Sequence, residues 1–285
     1  MKSDLTYPSG AEFAFTILDD TDDTTVENGR PVYDLLNELG FRTTKTVWSF
    51  DTIPENRGPY FAGETISSPR YLECIHELAD NDFEIAFHNA TMGSSLREDT
   101  IRALDLIKNE FGQQVRLHCN HGQNRENLHW GADRYSSYAI KKILEFMTRF
   151  RSYPEFEGNN PKSPYYWSDV ADERLSYMRA FTFQQLNGAS ITPRRPFLDT
   201  TKQNKTLFFN TTDAPNVLAF NKLVNPSSID KLREQKGWAI ISTHLGKGFY
   251  QNNKLDPEFK ENMEYLSTLP GWFAPASQLL DHLKK

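Results

Sequence analysis

Apolar residues recur along the chain in two alternating rhythms. At 13–18 the run FAFTIL packs Phe13, Phe15, Ile17 and Leu18 into six residues, the density of a buried strand. Positions 28–41 then set Val32, Leu35, Leu36 and Leu39 at helical spacing, with Pro31 near the start and Gly40 at the end. The segment 42–50, RTTKTVWSF, is rich in β-branched and aromatic residues and predicts a second strand. A loop over 51–68, with two prolines and two glycines, is long enough to fold over a site. Helix over 69–80, strand over 83–90, helix over 97–111 and strand over 115–119 continue the alternation, and the turn Asn120-His121-Gly122-Gln123-Asn124 follows.

A further helix is expected between 132 and 150. Beyond it 151–169 is loop-like and aromatic, 170–183 returns to helical spacing, and 188–209 is polar and broken by Pro193 and Pro196 before a short strand near 206–209. A helix over 229–235, a buried strand WAIIS over 238–242 and a closing helix over 273–283 complete the chain. Regular strand and helix alternation with turn chemistry after each strand predicts parallel βαβ units, an α/β fold, and one domain over 1–285 accounts for it.

Composition narrows the function classes. The 285 residues are 38% hydrophobic and 25% charged, enough to bury a substantial core. A formal net charge of −6 with no basic stripe does not suggest a nucleic-acid partner. No apolar run approaches a membrane span and the start carries no signal core, so the expected location is the cytoplasm. Two cysteines, Cys74 and Cys119, are too few for a disulfide framework and read as core thiols.

Chemistry concentrates at the ends of predicted strands. The first strand runs straight into Asp19, Asp20, Asp22 and Asp23. Carboxylates this close repel one another and lose hydration, so they call for a cation, a shared proton or donors; otherwise they form a solvated turn that caps the next helix. His88, the pair His118 and His121, and His244 each follow another strand. In an α/β barrel those carboxyl ends converge, and Asp with His but no thiolate suits zinc or another divalent first-row metal with an open water position. The aromatic residues Trp130, Tyr165, Tyr166 and Trp167 lie in turns or loops, where flat faces suit a sugar ring.

A strand ending in Asp-Asp, a later strand ending in His, and a late strand ending in His together resemble the polysaccharide deacetylase family (carbohydrate esterase family 4, the NodB homology domain). Thr16-Ile17-Leu18-Asp19-Asp20 is similar to its T-F-D-D motif with one residue of slack, His88-Asn89-Ala90-Thr91 to the start of its H-[ST]-x-x-H motif, and Ile240-Ile241-Ser242-Thr243-His244 to its late motif. The phrases at 40–48 and 83–90, NHGQN, and the terminal GWFAPASQLLDHL resemble a divergent branch associated with surface-polysaccharide biosynthesis.

The resemblance implies a distorted (β/α) barrel of about seven parallel strands. It also implies hydrolysis of N-acetyl or O-acetyl groups on a carbohydrate, with Asp19 as general base, Asp20 and His88 as ligands of zinc (cobalt or nickel as alternatives), and His244 as the acid that protonates the leaving group. The chain departs from the pattern at Met92, where the second motif's last histidine would stand, and it lacks the Arg-Pro run that steadies the base. His121, or failing it His118, is expected to replace the lost ligand. Trp130, Trp167, Asn124 and His118 are the expected substrate contacts. Two rivals stand beside this one: a sugar-binding protein of the same fold without metal, and a haloacid-dehalogenase-type phosphatase using Asp20, Asp22 and Thr24, which leaves His88, His121 and His244 without a task.

Overall fold

Three strands of the central sheet, over 13–19, 44–47 and 238–243, are buried on both faces, the pattern of a parallel sheet wrapped by helices. The computed structural model describes residues 5–52, 62–131, 143, 156–191, 197–198 and 205–285. The helix expected between 132 and 150 falls almost wholly outside them. The strands are β1 (Phe13–Asp19), β2 (Thr44–Val47), β3 (Glu84–Phe87), β4 (Leu117–His118), β5 (Tyr177–Phe183), β6 (Phe197–Leu198), β7 (Leu207–Asp213), β8 (Trp238–Thr243), a small β9 (Tyr250–Gln251) and β10 (Lys254–Leu255) hairpin, and β11 (Gly271–Trp272).

Parallel pairing runs β1, β2, β3, β4, β5, β7, β8 and returns from β8 to β1, which closes a seven-stranded barrel. The expected barrel is therefore present, and it is distorted as expected. β3 and β4 meet through the single pair Phe87 and His118, β7 and β8 pair only over Thr212 to Asp213, and β5 shifts register between Arg179 and Thr182. β6 lies antiparallel on β7, and β11 extends β1 at its first residues.

The helices α1 (Val26–Glu38), α2 (Pro69–Asp80) and α3 (Arg97–Phe111) follow the first three strands. Later come α4 (Ser168–Arg174), the single turn α5 (Gly188–Ile191), α6 (Val217–Leu223), α7 (Pro226–Glu234), α8 (Pro257–Ser267) and α9 (Ala276–Lys284). Local chemistry sets their starts. Thr25 caps α1 in a capping box with Asn28, Asn225 caps α7 ahead of Pro226, and Asp256 caps α8 ahead of Pro257. Among the described residues no helix is long and apolar enough to cross a membrane.

One expected element is corrected. The helical spacing over 170–183 ends at Arg174, and Tyr177–Phe183 is a strand between β4 and β7. YMRAFTF satisfies both periodicities over so short a run, and the closed ring needs a strand in that position.

Strand alternation divides β1 between two layers. Phe13, Phe15 and Ile17 join the core beneath the helices, with Val32, Leu36 and Phe41, whereas Ala14 and Leu18 face the barrel interior with Leu117, Cys119, Phe209 and Ile240. Leu279, Leu280 and Leu283 of α9 close the interior at the end opposite the turns. The same alternation continues into the acidic turn and assigns its carboxylates to different places.

Candidate metal centre

Asp19, the last residue of β1, lies on the helix side. Its cross-strand partner is Lys45, whose Nζ donates to Asp19 Oδ2 over 2.7 Å. Tyr33 of α1 donates to the same oxygen at 2.8 Å, and the peptide N–H of Leu245 donates to Oδ1 at 2.8 Å. Both oxygens are engaged and the residue is 0% exposed. Burial alone would strip Lys45 of its charge, but the Asp19 carboxylate outweighs it and raises the ammonium pKa. Asp19 thus forms a buried ion pair that ties β1, β2, α1 and the turn after β8 together.

Asp20, one residue on, is carried to the barrel mouth. Its Oδ2 accepts from Arg179 of β5 at 2.6 Å, and Arg179 also donates to Ser242. Oδ1 is buried with no hydrogen-bond partner among the described residues, 3.9 Å from His88 Nδ1. Burial would raise the Asp20 carboxyl, yet the Arg179 guanidinium, with His88 and His244, holds it below the usual carboxylate range.

Asp22 stands among three imidazoles. Its Oδ1 is 3.3 Å from His88 Nε2 and 3.8 Å from His121 Nε2, and its Oδ2 is 3.4 Å from His244 Nε2. These side chains come from the turns after β1, β3, β4 and β8, so four strand ends meet at one carboxylate. Lys247 completes the ring, 3.7 Å from Asp22 and 3.5 Å from Asp23. Burial pushes the Asp22 carboxyl up, while the neighbouring imidazoles of His244, His88 and His121 pull it far below the normal range. Gly246 permits the close approach of the two turns, because a Cβ there would lie 2.5 Å from the backbone of Asp23.

Each histidine is held differently. His244 directs Nδ1 at the carbonyl of Pro215, 2.9 Å away, which turns Nε2 toward Asp22. Burial would lower its pKa, but Asp22 and Asp20 outweigh that and raise it. His121 directs Nδ1 at Asn124 Oδ1 over 2.9 Å, and burial draws it down to about 4. His88 is 1% exposed, and neither ring nitrogen has a hydrogen-bond partner among the described residues. Trp48 packs against both, 5.8 Å from the His88 ring and 5.4 Å from that of His121.

Carboxylate and imidazole without thiolate is a donor chemistry that suits a divalent ion. Buried polar atoms without partners are rare, and here Asp22 Oδ1 and both His88 nitrogens are such atoms, in one place. Ligands spaced tetrahedrally at ~2.1 Å from zinc stand about 3.4 Å from one another; Asp22 Oδ1 stands 3.3 Å from His88 and 3.8 Å from His121. Among the described residues no three His, Cys, Asp or Glu side chains are spread around a common ion position. The carboxylate itself sits between the imidazoles.

The four expected substrate contacts take different positions. His118 is fully buried against Phe87 and Trp167, its nitrogens facing the Phe87 carbonyl and Asn120, and burial draws it down to about 3. Trp167 is 0% exposed and donates to the Glu126 carbonyl, so it is a core residue rather than a face open to a sugar. Asn124 is buried behind His121. Trp130, partly exposed, donates to the Gly122 carbonyl at the rim of the turn after β4.

Glu126, Asn89, Arg179 and Lys45 were not singled out from the sequence. Glu126 is wholly buried, accepting from Asn89 at 2.9 Å, Asn124 at 2.8 Å and the Ser95 peptide at 3.0 Å, and burial pushes its carboxyl up to about 7.

No protein-family model matches the chain, and a search of curated proteins finds no match. Solved structures do match. A protein from Mycobacterium smegmatis described as a polysaccharide deacetylase superposes with a TM-score of 0.52 at 11% identity, covering 100% of this chain and 94% of that one. The Puue allantoinase gives a TM-score of 0.52 at 11% identity, covering 97% and 91%. The chain has the (β/α) barrel fold of the polysaccharide deacetylases, a barrel shared with an allantoinase.

Proposed function

We propose that the chain is a metal-dependent hydrolase that removes an acetyl group, bound through nitrogen or oxygen, from a carbohydrate. The observation that carries this is the single carboxylate of Asp22 ringed by His88, His121 and His244 at the open end of the barrel. Asp22, His88 and His121 would hold a divalent ion, zinc before cobalt or nickel. Such an ion supplies Lewis acidity toward a carbonyl and a lowered pKa for water.

The remaining groups divide the proton transfers. Asp20 is the base in this proposal, in place of Asp19: its Oδ1 is unengaged, while both Asp19 oxygens already accept hydrogen bonds. Arg179 holds the other Asp20 oxygen and keeps the carboxylate ionised, the steadying task that the sequence motif left unfilled. Asp20 takes a proton from the attacking water. His244, anchored through Nδ1 on Pro215 and favoured as imidazolium by its carboxylate neighbours, gives its Nε2 proton to the leaving nitrogen or oxygen. Acetate and a free amine or hydroxyl result.

The experiment is acetate release from N-acetylated and O-acetylated sugars, with elemental analysis of the same preparation. Stoichiometric metal, release abolished by chelator and restored by zinc is the expected result. Protein that takes up no metal when offered it and releases no acetate points to a sugar-binding barrel. Phosphate release that needs magnesium points to the phosphatase. Two variants resolve the replacement ligand: His121→Ala is expected to lose the metal, and His118→Ala to keep it, since His118 faces away from Asp22. Equal metal in both variants and the parent overturns His121 as a ligand.

A further inference from the structure

The proposed ligand His121 does not come from the strand that supplies His88, and the groups behind it decide which of its nitrogens can bind. A neutral imidazole carries one N–H, and only the other nitrogen offers a lone pair to a metal. The partner of Nδ1 therefore determines whether Nε2, the nitrogen nearest Asp22, is a ligand or a donor. That partner is the amide of Asn124, which presents a carbonyl oxygen or an NH2 group according to which way it is turned.

The surroundings settle the amide's direction. Asn124 Nδ2 lies 2.7 Å from the Gly93 carbonyl, 3.2 Å from the Thr91 carbonyl and 2.8 Å from Glu126 Oε1. Two of these three atoms are peptide carbonyls, which only accept, and the third is a carboxylate oxygen. The NH2 end must face them, which leaves Oδ1 toward His121, and Nδ1 must then carry the hydrogen. A second amide braces the same residue. Asn89, at φ 63° in the left-handed region that Asn tolerates, accepts the His121 peptide N–H at Oδ1 over 2.7 Å and donates to Glu126 Oε1 over 2.9 Å. One buried oxygen of Glu126 thus gathers both amides, while its other oxygen accepts from Ser95.

We infer that Asn124 is a positioning residue that locks His121 in its Nδ1–H tautomer, with Glu126 and the Gly93 carbonyl fixing the Asn124 amide, so that Nε2 is presented to the metal as a lone pair. This rests on the metal reading of the site, but the tautomer exists without metal or substrate. Partners of this kind behind a metal-binding histidine contribute about 10- to 100-fold in affinity.

Long-range 15N–1H correlation on the metal-free parent protein, with His121 assigned by substitution, reads the tautomer directly. The expected signal is Nδ1–H. In Asn124→Ala the tautomers are expected to mix, and zinc affinity measured by calorimetry to fall by at least about tenfold. An Nε2–H tautomer in the parent overturns the inference whether or not the variant folds. So does an Asn124→Ala protein that stays wholly Nδ1–H, or whose zinc affinity remains within about twofold of the parent. Zinc bound with the expected tautomer but no acetate released would instead sink the hydrolase and leave the role of Asn124 standing.

Discussion

Asp22→Asn is expected to cost more metal affinity than the about 10- to 100-fold typical of an outer partner, and to abolish acetate release with it. The substitution keeps the size and one oxygen of the side chain but removes the charge that His88, His121 and His244 surround. Asp23→Asn, one position away, is the control. Asp23 has a positive φ of 58°, which Asn tolerates, and its Oδ1 accepts from the Ala62 peptide rather than facing the imidazoles. Metal titration of the two variants side by side checks this. If both hold metal like the parent, Asp22 is not the centre of the site.

Lys45→Met should be among the most damaging single changes to stability, at about 3–5 kcal/mol. Lys45 and Asp19 have side chains 1% and 0% exposed, and removal of the cation leaves a buried carboxylate with only Tyr33 and the Leu245 peptide to solvate it. Replacing Asp19 by Leu as well as Lys45 by Met should recover much of the loss, because a buried pair exchanged for apolar residues of similar volume is often neutral. Guanidinium midpoints of the parent, single and double variants measure it. A single variant within about 1 kcal/mol of the parent would be the range of an exposed pair, and Asp19 would then have no structural tie to Lys45.

Much of the barrel was legible because its signals are local. β1, β3, β8 and the first three helices carry strong periodicity and appear where the pattern placed them. β5 did not, since YMRAFTF follows a true helix with too short a break to separate the two rhythms. Arg179 was lost with it. A charged residue inside an apolar strand was the available signal there, as it was for Lys45 within TTKTV.

The site was legible as a set of turns but not as a set of roles. The cluster of Asp19, Asp20, Asp22 and Asp23 was visible, yet which carboxylate faces which layer depends on the pleat of β1 and on how the turn leaves it. A motif aligned with one residue of slack cannot resolve that. The alternation sends Asp19 to Lys45 and Tyr33, Asp20 to Arg179, and leaves Asp22 for the histidines. The sequence already set His121 ahead of His118 as a ligand, and the two part because His118 is still within β4 while His121 lies beyond it in the turn. A barrel shared with an allantoinase does not specify a reaction, so the functional argument stays with these side chains.

Anomalous diffraction at the zinc edge, from crystals of zinc-loaded protein, tests the metal centre most directly. One strong peak is expected at the open end of the barrel, within about 2.0–2.2 Å of Asp22, His88 and His121. No peak there after loading, or one bound by other side chains while Asp22 still rests against the imidazoles, would contradict it.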